Sequence, residues 1–250
     1  MAITLGVVEV PAPQMGAQPL AARRFADTSL LEWVVRRVSE SLLVERVLVM
    51  ADAAQRAALS RLVPPNAFLF DGPQKDVLSS FAAAARSADA TSIVRVPIDC
   101  PFVDPNLIDR LICDANAHPG CDYIGYISNS KTLPIHSRLG MFGEWIRADA
   151  LLRAARAATE EQDRAACARY IQSHPEHFQL RLLPVPASID RDDIRLAVKD
   201  EEDWEHAQLI FDALGPDQLD CNRIADLLAG QPALRLRMAA LNQAAQASRA

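Results

Sequence analysis

Short apolar, β-branched runs alternate along this chain with longer segments whose apolar residues recur at helical spacing. This alternation is typical of a parallel sheet wrapped by helices, so it predicts an α/β fold. The predicted strands are Ile3–Val10, Arg46–Met50, Ala67–Phe70, Ser92–Val96, Tyr123–Ile127, Leu139–Ile146, Phe178–Val185 and Ile194–Val198. The predicted helices are Leu30–Leu43, Asp76–Ser87, Asn106–Ala117, Ala148–Thr159, Asp163–Gln172, Asp200–Leu214 and Asn222–Ala247, the last interrupted near Gly230.

The length of 250 residues suits one large domain, or one domain with an appendage. The regular alternation ends near Gly120, where short strands and a helix-rich stretch begin. We expect that later region to supply walls for a second substrate. The predicted division is an α/β domain over residues 1–215 and a C-terminal helical appendage over residues 216–250.

The charge and the cysteine content indicate which classes of partner and which cellular compartment to expect. The net charge of -6 argues against a nucleic-acid partner, because affinity for phosphate backbones requires clustered cations. The five cysteines show no metal-binding spacing, so we expect reduced thiols in the cytoplasm. Glu9 interrupts the first apolar run, and no run reaches the roughly 20 residues that span a bilayer. A cytoplasmic protein without a membrane partner is therefore predicted.

In an open α/β sheet, ligands bind beyond the carboxyl ends of the strands, so the residues that follow strands are the first candidates. The loop Val10–Arg24 follows the first predicted strand, is rich in turn-forming residues and ends in two cations, Arg23 and Arg24. Such a loop can bind phosphates through backbone N–H groups and arginine. The alternative is a plain surface connection.

The segment Ile93–Pro101 carries the strongest candidate, Asp99, between Pro97 and Pro101. Two prolines restrict the backbone, and a carboxylate at this edge is well placed to coordinate Mg²⁺ on a nucleotide's phosphates. A helix-capping role fits the nearby Asp104 better, since Pro105 suits a first helical turn.

The predicted strand at 194–198 is followed by acidic residues at a helix start, of which Asp200 is the one plausible metal ligand. His136, His174 and His177 show no ligand spacing, and solvated or capping roles are expected for them. The chain has no G-x-S-x-G, Walker A or G-x-G-x-x-G motif. Hydrolase, kinase and dehydrogenase functions therefore lose support.

At these residues the chain resembles, over nearly its whole length, the spore-coat polysaccharide biosynthesis cytidylyltransferase family, related to acylneuraminate and 3-deoxy-manno-octulosonate cytidylyltransferases. The most specific match is Arg95–Pro105, which fits the pattern R-x-x-x-D-C-P-x-x-D-P. Pro13–Arg23 lies in register with A-R-M-G-S-T-R-L-P-G-K, and Lys75–Leu78 resembles D-D-V-L. Arg195–Asp203 resembles R-L-T-V-D-T-P-E-D, and Ile224–Leu234 resembles the family's terminal helix pair.

The resemblance implies a Rossmann-like nucleotidyltransferase with a mixed, mostly parallel sheet flanked by helices. In such enzymes a sugar acid attacks the α-phosphate of CTP and pyrophosphate leaves. By this resemblance Arg23 and Asp99 are expected to be catalytic, and Asp99 and Asp200 to hold Mg²⁺. The expected nucleotide-binding residues are Gln14, Gly16, Arg23, Asp76 and Arg95, and the expected sugar-binding residues are Glu144 and Arg164. The implied partners are CTP and a sugar acid, and the related enzymes suggest a homodimer.

The chain departs from the family at positions that face ligands. Lys199 replaces the second family Asp, Gln14 and Pro19 replace two arginines, and Arg164–Ala168 stands for R-E-H-V-T. Two hypotheses remain: a cytidylyltransferase, or a catalytically degenerate member that binds a nucleotide or sugar or acts as an interaction protein. A nucleotide-sugar glycosyltransferase ranks last, because no D-x-D motif follows a strand.

Overall fold

The computed structural model describes residues 3–11 and 20–247 of the chain. Within these ranges the strands are β1 (Thr4–Glu9), β2 (Arg24–Phe25), β3 (Thr28–Ser29), β4 (Arg46–Asp52), β5 (Ala67–Gly72), β6 (Ser92–Pro97), β7 (Tyr123–Ile127), β8 (Glu144–Arg147) and β9 (Leu180–Pro184). The helices are α1 (Leu30–Ser39), α2 (Arg56–Leu59), α3 (Val77–Ser87), α4 (Pro105–Ala117), α5 (Ala148–Ala157), α6 (Glu161–Arg164), α7 (Arg169–Ser173), α8 (Glu201–Leu214), α9 (Cys221–Ala229) and α10 (Pro232–Ala247).

Seven of these strands form one mixed sheet in the order β5-β4-β1-β6-β8-β7-β9. Strand β8 runs antiparallel to both of its neighbours, and the other pairs in this sheet are parallel. Because β5, β4, β1 and β6 run the same way, their carboxyl ends meet at one edge of the sheet. The predicted mixed, mostly parallel sheet is confirmed. Ligands of open α/β sheets bind beyond such a carboxyl edge.

Helices cover both faces of the sheet. Val8, Val49 and Val96 pack in one cluster with α1, α4 and the C-terminal helices. Val7 and Ile93 pack in a second cluster with α3 and α5. Successive residues of a strand point to opposite faces, which is why Val7 and Val8 lie in different clusters. Full burial of such side chains contributes about 1.5–3 kcal/mol each, so the helices on both faces stabilise the sheet.

The predicted cap of α4 is confirmed. The side chain of Asp104 accepts a hydrogen bond from the N–H of Asn106 at 2.9 Å, and Pro105 is the first helical residue. The other carboxylate oxygen of Asp104 accepts from the N–H of Cys221, also at 2.9 Å. This aspartate therefore ties the C-terminal segment to α4, which the sequence did not indicate.

The strand predicted over Ile194–Val198 is wrong. The N–H groups of Leu196 and Ala197 both donate to the carbonyl oxygen of Arg138, and the N–H of residue 198 donates to the carbonyl oxygen of Asp99. These bonds go to loop residues and not to a neighbouring strand, so no ladder forms. The segment instead connects the loop before β8 with the loop after β6.

Other element boundaries also differ from the predictions. The strand predicted over Leu139–Ile146 begins only at Glu144, because Gly140 has a φ of +62°, outside the extended region. The helix predicted over Asp163–Gln172 is two short helices, α6 and α7. Helical spacing alone could not place the break between them.

The described part of residues 216–250 packs onto the same core as the rest of the chain. Gly215 ends α8 with a φ of +72°, and Leu219, Ile224, Leu228 and Met238 join the cluster on the α1 side of the sheet. The division of the chain after residue 215 stays a prediction. In the described ranges no helix is both long enough and apolar enough to cross a bilayer.

Candidate active site at the carboxyl edge of the sheet

A cleft of about 420 Å³ opens beyond the carboxyl ends of β1 and β6, and we call it the edge cleft. Its lining includes Glu9, Arg95, Asp99, Arg138 and Lys199. Its volume falls within the roughly 300–1,000 Å³ of small-molecule sites, and its position is where open α/β sheets bind ligands. Two carboxylates and three cations therefore share one ligand-sized space.

Asp99 lies in this cleft as predicted, two residues beyond β6, and is 7% exposed. Its carboxylate forms an ion pair with the ammonium group of Lys199. Its carbonyl oxygen accepts a hydrogen bond from the N–H of Val198 at 2.8 Å, which brings Lys199 alongside. The thiol of Cys100 donates to the carboxylate at 3.5 Å, and burial raises the pKa of that thiol to about 12, so it stays a neutral donor.

The backbone of Lys199 is held from a second side as well. Its N–H donates to the carboxylate of Asp203 at 2.9 Å. Asp203 forms an ion pair with Arg195, and both side chains are almost completely buried. The guanidinium of Arg138 lies 3.5 Å from the same carboxylate. The ammonium of Lys199 thus extends from a rigid base into the edge cleft.

The side chains present do not fit the Mg²⁺ site predicted at Asp99 and Asp200. Asp200 caps α8, accepting from the N–H of Asp203 at 3.0 Å, and its second oxygen accepts from Arg195 at 2.6 Å. Asp99 already neutralises Lys199, whereas Mg²⁺ requires oxygen donors in near-octahedral geometry. Among residues 3–11 and 20–247, no group of three or more His, Cys, Asp or Glu side chains is arranged to hold a metal ion.

Arg95 lies between two carboxylates at the floor of the cleft. Its Nε donates to Glu9 at 2.6 Å and its Nη1 donates to Glu144 at 2.6 Å. Glu144 also accepts from the hydroxyl of Tyr123 at 2.8 Å and from Gln172 at 3.2 Å. Burial and the neighbouring Glu144 raise the pKa of Tyr123 well above its ordinary value, so the phenol remains a donor.

This network changes the interpretation of two predicted site residues. Glu144, predicted to bind sugar, is fully buried and does not line the edge cleft. Glu144 is the register partner of Arg95 in the β6–β8 pairing, and its carboxylate orients the Arg95 guanidinium from the buried side of the cleft floor. Arg95, predicted to bind nucleotide, reaches the cleft with only a small part of its side chain, which is 16% exposed.

Arg23 contacts α8, the helix that follows Lys199, through two of its side chains. Its guanidinium donates two hydrogen bonds to Glu201, at 2.7 and 2.8 Å, and lies 3.9 Å from the centre of the Trp204 ring. Glu201 is exposed, and exposed ion pairs are weak, so a phosphate is able to compete for this arginine. Its role stays a prediction. Gln14 and Gly16 lie outside the described residues.

Asp76 and Arg164 are brought together, although one was predicted to bind nucleotide and the other sugar. The carboxylate of Asp76 accepts from the N–H of Ser79 at 3.2 Å and pairs with Arg164. Burial alone would raise the pKa of Asp76, but the hydrogen bonds from Arg164 and Ser79 outweigh it and lower that pKa. Neither residue lines the edge cleft. Their contacts join α6 to the start of α3, and a ligand role for either stays a prediction.

Sequence reasoning missed a larger neighbouring cleft of about 570 Å³, which we call the outer cleft. His136, Ser137 and Arg138 line both clefts. They lie in or beside a single 3-10 turn, where neither periodicity nor a motif marks them. Glu9 was missed too, although its position at the end of β1 would have identified it by the strand-end rule.

The chain is similar to known proteins both in sequence and in fold. A family model described as MobA-like NTP transferase domain matches residues 12–198. The spore coat polysaccharide biosynthesis protein SpsF of Bacillus subtilis (strain 168) is 28% identical over 224 residues, which cover 86% of this chain and 87% of that protein.

Two solved structures share the fold. A cytidylyltransferase from Leptospira borgpetersenii serovar Hardjo-bovis (strain JB197) matches with a TM-score of 0.79 at 18% identity, over 93% of this chain and 95% of its own. CMP:2-keto-3-deoxy-manno-octonic acid synthetase, solved with CTP, matches with a TM-score of 0.61 at 11% identity, over 85% of this chain and 98% of its own. With the family match, these findings confirm the resemblance predicted from the motifs.

Proposed function

The chain belongs to the MobA-like NTP transferase domain family and is a nucleotidyltransferase, and from that premise we propose that it transfers CMP from CTP to a sugar acid for surface polysaccharide biosynthesis. Three names support this choice of substrates: a spore coat polysaccharide protein, a cytidylyltransferase and a CMP-sugar-acid synthetase. The proposed donor is CTP, and the proposed acceptor is a sugar that carries a carboxylate.

The observation that carries the proposal is the ion pair of Lys199 and Asp99 at the sheet edge. In the reaction, a hydroxyl oxygen of the acceptor bonds to the α-phosphorus of CTP, the bond to pyrophosphate breaks, and the hydroxyl proton passes to solvent. Negative charge builds on the phosphoryl oxygens and on the leaving group, and fixed cations stabilise it. Lys199 is the proposed fixed cation, with 46% of its side chain exposed to the cleft.

Asp99 is proposed to position that cation and not to ligate a metal ion. Its carboxylate is largely buried, so little water competes with the ammonium group of Lys199 for it, and the ion pair can hold that group in place. The predicted cofactor Mg²⁺ enters only as a counter-ion carried by the triphosphate, since Mg²⁺ is commonly held by substrate phosphates with few protein carboxylates. Arg23 is the proposed second cation for the phosphates, released from the exposed Glu201.

The same ion pair also favours a second candidate, a degenerate member that binds CTP or a sugar without turnover. In such a member the Lys199–Asp99 salt bridge would occupy the position expected for the metal ion and would have only a structural role. This candidate predicts nucleotide binding that does not depend on divalent cations and is not followed by pyrophosphate release.

Pyrophosphate release separates the two candidates. The wild-type protein is incubated with CTP, UTP, ATP or GTP, with and without Mg²⁺, and with a panel of octulosonic and nonulosonic acids. The cytidylyltransferase proposal expects release with CTP that requires an acceptor. The proposal is contradicted if no combination of nucleotide and acceptor gives pyrophosphate release. If CTP still binds, as measured by calorimetry, the degenerate candidate is favoured.

A conservative variant and a matched control complete the experiment. Asp99→Asn leaves Lys199 without its carboxylate, and we expect a fall in kcat of about tenfold to a hundredfold. Asp212→Asn changes an exposed carboxylate on α8 and should leave the rate unchanged. We further propose a cytoplasmic homodimer. The five free cysteines are compatible with that compartment, and the dimer is testable by light scattering.

A further inference from the structure

Lys199 directly follows the 194–198 segment, which belongs to no strand or helix. A strand is held in place by a ladder of backbone hydrogen bonds to its neighbours. The 194–198 segment has instead two bonds to the carbonyl oxygen of Arg138 and one to the carbonyl oxygen of Asp99. The position of the Lys199 ammonium group therefore depends on what else holds this segment and the coil before it.

Helix α10 contacts that coil at two points. The side-chain nitrogen of Asn242 donates to the carbonyl oxygens of Asp192 and Ile194, at 2.9 and 3.1 Å. Seven residues earlier on α10, Nη1 of Arg235 lies 3.6 Å from the carboxylate of Asp193. Residues seven apart lie on the same face of a helix, so one face of α10 holds the coil at both points.

Asn242 also reaches the buried side chain of Arg195. Arg195 is only 2% exposed, so its N–H groups need acceptors within the protein. Its Nε donates to Asp203, and its Nη2 donates to Asp203 at 3.0 Å and to Asp200 at 2.6 Å. For Nη1, the side-chain oxygen of Asn242 at 3.5 Å is the one acceptor in the part of the chain that the structure describes. Loss of Asn242 would leave a buried cationic donor without that acceptor, which is costly.

The carboxylate of Asp203 connects this arginine to Lys199. The oxygen that accepts from Nη2 of Arg195 also accepts from the backbone N–H of Lys199, at 2.9 Å. The Asp203 side chain has no exposed surface, so water does not compete for these bonds. Asn242 therefore acts on Lys199 by two routes, through the backbone of the coil and through the pair of Arg195 and Asp203.

We propose that Asn242 is a positioning residue for Lys199, so that α10 holds the segment that carries the ammonium group. The inference rests on the proposed function, because it concerns the cation of that reaction. A fixed cation stabilises only the place where charge develops, and a misplacement of about 1 Å can lower a rate on the order of a hundredfold. Asn242 does not itself line the edge cleft. The C-terminal helix then contributes to turnover from outside that cleft.

Two substitutions of Asn242 and one control test the proposal. Asn242→Ala removes all three hydrogen bonds and suits α10, because alanine is a better helix former than asparagine. Asn242→Leu removes the same bonds and keeps most of the side-chain volume, so the two variants together separate hydrogen bonding from packing. Gln243→Ala is the matched control, since it removes an exposed amide from the next residue of α10. Urea unfolding verifies that each variant is folded at the assay temperature.

Amine labelling reports the position of Lys199 without any turnover. The lysines of the chain are Lys75, Lys131 and Lys199, and the first two are exposed and serve as internal references. The proteins are treated with trace acetic anhydride, and mass spectrometry of their peptides gives the labelling rate of each lysine. We expect Lys199 to label about threefold faster or more in both variants of Asn242 than in wild type and Gln243→Ala, because its ion pair with Asp99 opens more often.

Pyrophosphate release then connects the position to the reaction. We expect kcat to fall about tenfold in both variants of Asn242 with the KM for CTP unchanged, because an interaction made in the transition state is weakened. Equal labelling of Lys199 in all four proteins overturns the inference, and so does faster labelling without a change in kcat. No pyrophosphate release from wild type overturns the proposed function, and the labelling then decides by itself whether Asn242 positions Lys199.

Discussion

The ammonium group of Lys199 lies against the carboxylate of Asp99, and the backbones of the two segments are joined by a hydrogen bond from Val198 to the Asp99 carbonyl at 2.8 Å. A positive charge therefore stands in the edge cleft at the position where the family resemblance predicted a divalent ion. The charge belongs to the chain, so its contribution can be tested by substitution.

Replacing Lys199 should reveal whether it serves as the cation of the reaction. Lys199→Met removes the charge and keeps much of the side-chain length, and we expect kcat with CTP to fall about a hundredfold, as for loss of one transition-state donor. The measurement is pyrophosphate release under saturating substrates. An unchanged kcat would contradict the role proposed for Lys199.

Lys199→Asp should convert the ion pair into a cation site, because two carboxylates would then face one another at the sheet edge. We expect Mn²⁺ to bind this variant more tightly than it binds wild type, as followed by calorimetry. Arg86→Asp, on the exposed side of α3, makes the same charge change away from the cleft and should not affect Mn²⁺ binding. Equal Mn²⁺ affinity in all three proteins would argue against this geometry.

Glu144 should matter for stability. Glu144→Leu leaves the buried Arg95 with Glu9 as its one carboxylate partner among the described residues, and removes an acceptor of Tyr123. Removing one member of a buried ion pair costs about 3–5 kcal/mol, so the free energy of unfolding in urea should fall by that order. The exposed Glu205→Leu serves as the control. If Glu144→Leu kept its stability but lost affinity for the sugar acid, the original sugar-binding prediction would be restored.

Gly140 should tolerate no side chain. A Cβ there would lie 2.2 Å from the backbone nitrogen of Ala197 and 2.5 Å from the carbonyl carbon of Leu196, and its φ is +62°. We expect Gly140→Ala to lower the free energy of unfolding by more than the roughly 1–2 kcal/mol of a left-handed alanine, because the 194–198 segment must also move. Lys199 should be displaced with it, and turnover should fall.

Gly215 provides the matched comparison, since its φ is +72° but an added Cβ would meet no described atom within 4 Å. Gly215→Ala thus tests backbone strain without the clash. Equal losses of stability in the two variants would show that the contact between the 140 and 197 backbones is not important.

His206 should make the protein less stable as the pH falls below neutrality. Burial lowers its pKa below the ordinary 6.5, with Arg237 and Arg195 acting in the same direction and Asp203 and Glu205 opposing. As the pH falls through 6.5, the unfolded chain binds a proton that the folded chain does not, so the free energy of unfolding decreases. The loss continues down to the folded pKa and is absent above pH 6.5.

Urea unfolding at pH 7.5 and 5.5 measures this effect. His206→Leu should lose less stability between the two pH values than wild type does, whereas His177→Leu, at an exposed histidine, should behave as wild type. An identical pH dependence in His206→Leu and wild type would refute the assignment.

The order of short apolar runs and helical segments predicted an α/β fold with a helix-covered sheet, because side-chain periodicity reports which residues a single strand or helix buries. The family resemblance implied that the sheet is mixed. The cap at Asp104 and the position of Asp99 after β6 were also predictable, since each depends on neighbouring residues in the chain. The family motifs agreed with both.

The partners of the site residues were decided by the tertiary structure. Asp99 pairs with Lys199 and Asp76 pairs with Arg164. Arg138 lines both clefts, and its carbonyl oxygen accepts hydrogen bonds from the 194–198 segment. These contacts join residues far apart in sequence, and their geometry depends on how loops and helices pack together. Local periodicity therefore specified the strands and helices of the α/β fold, whereas long-range packing determined which charges meet at the carboxyl edge of the sheet and placed α10 beside the outer cleft.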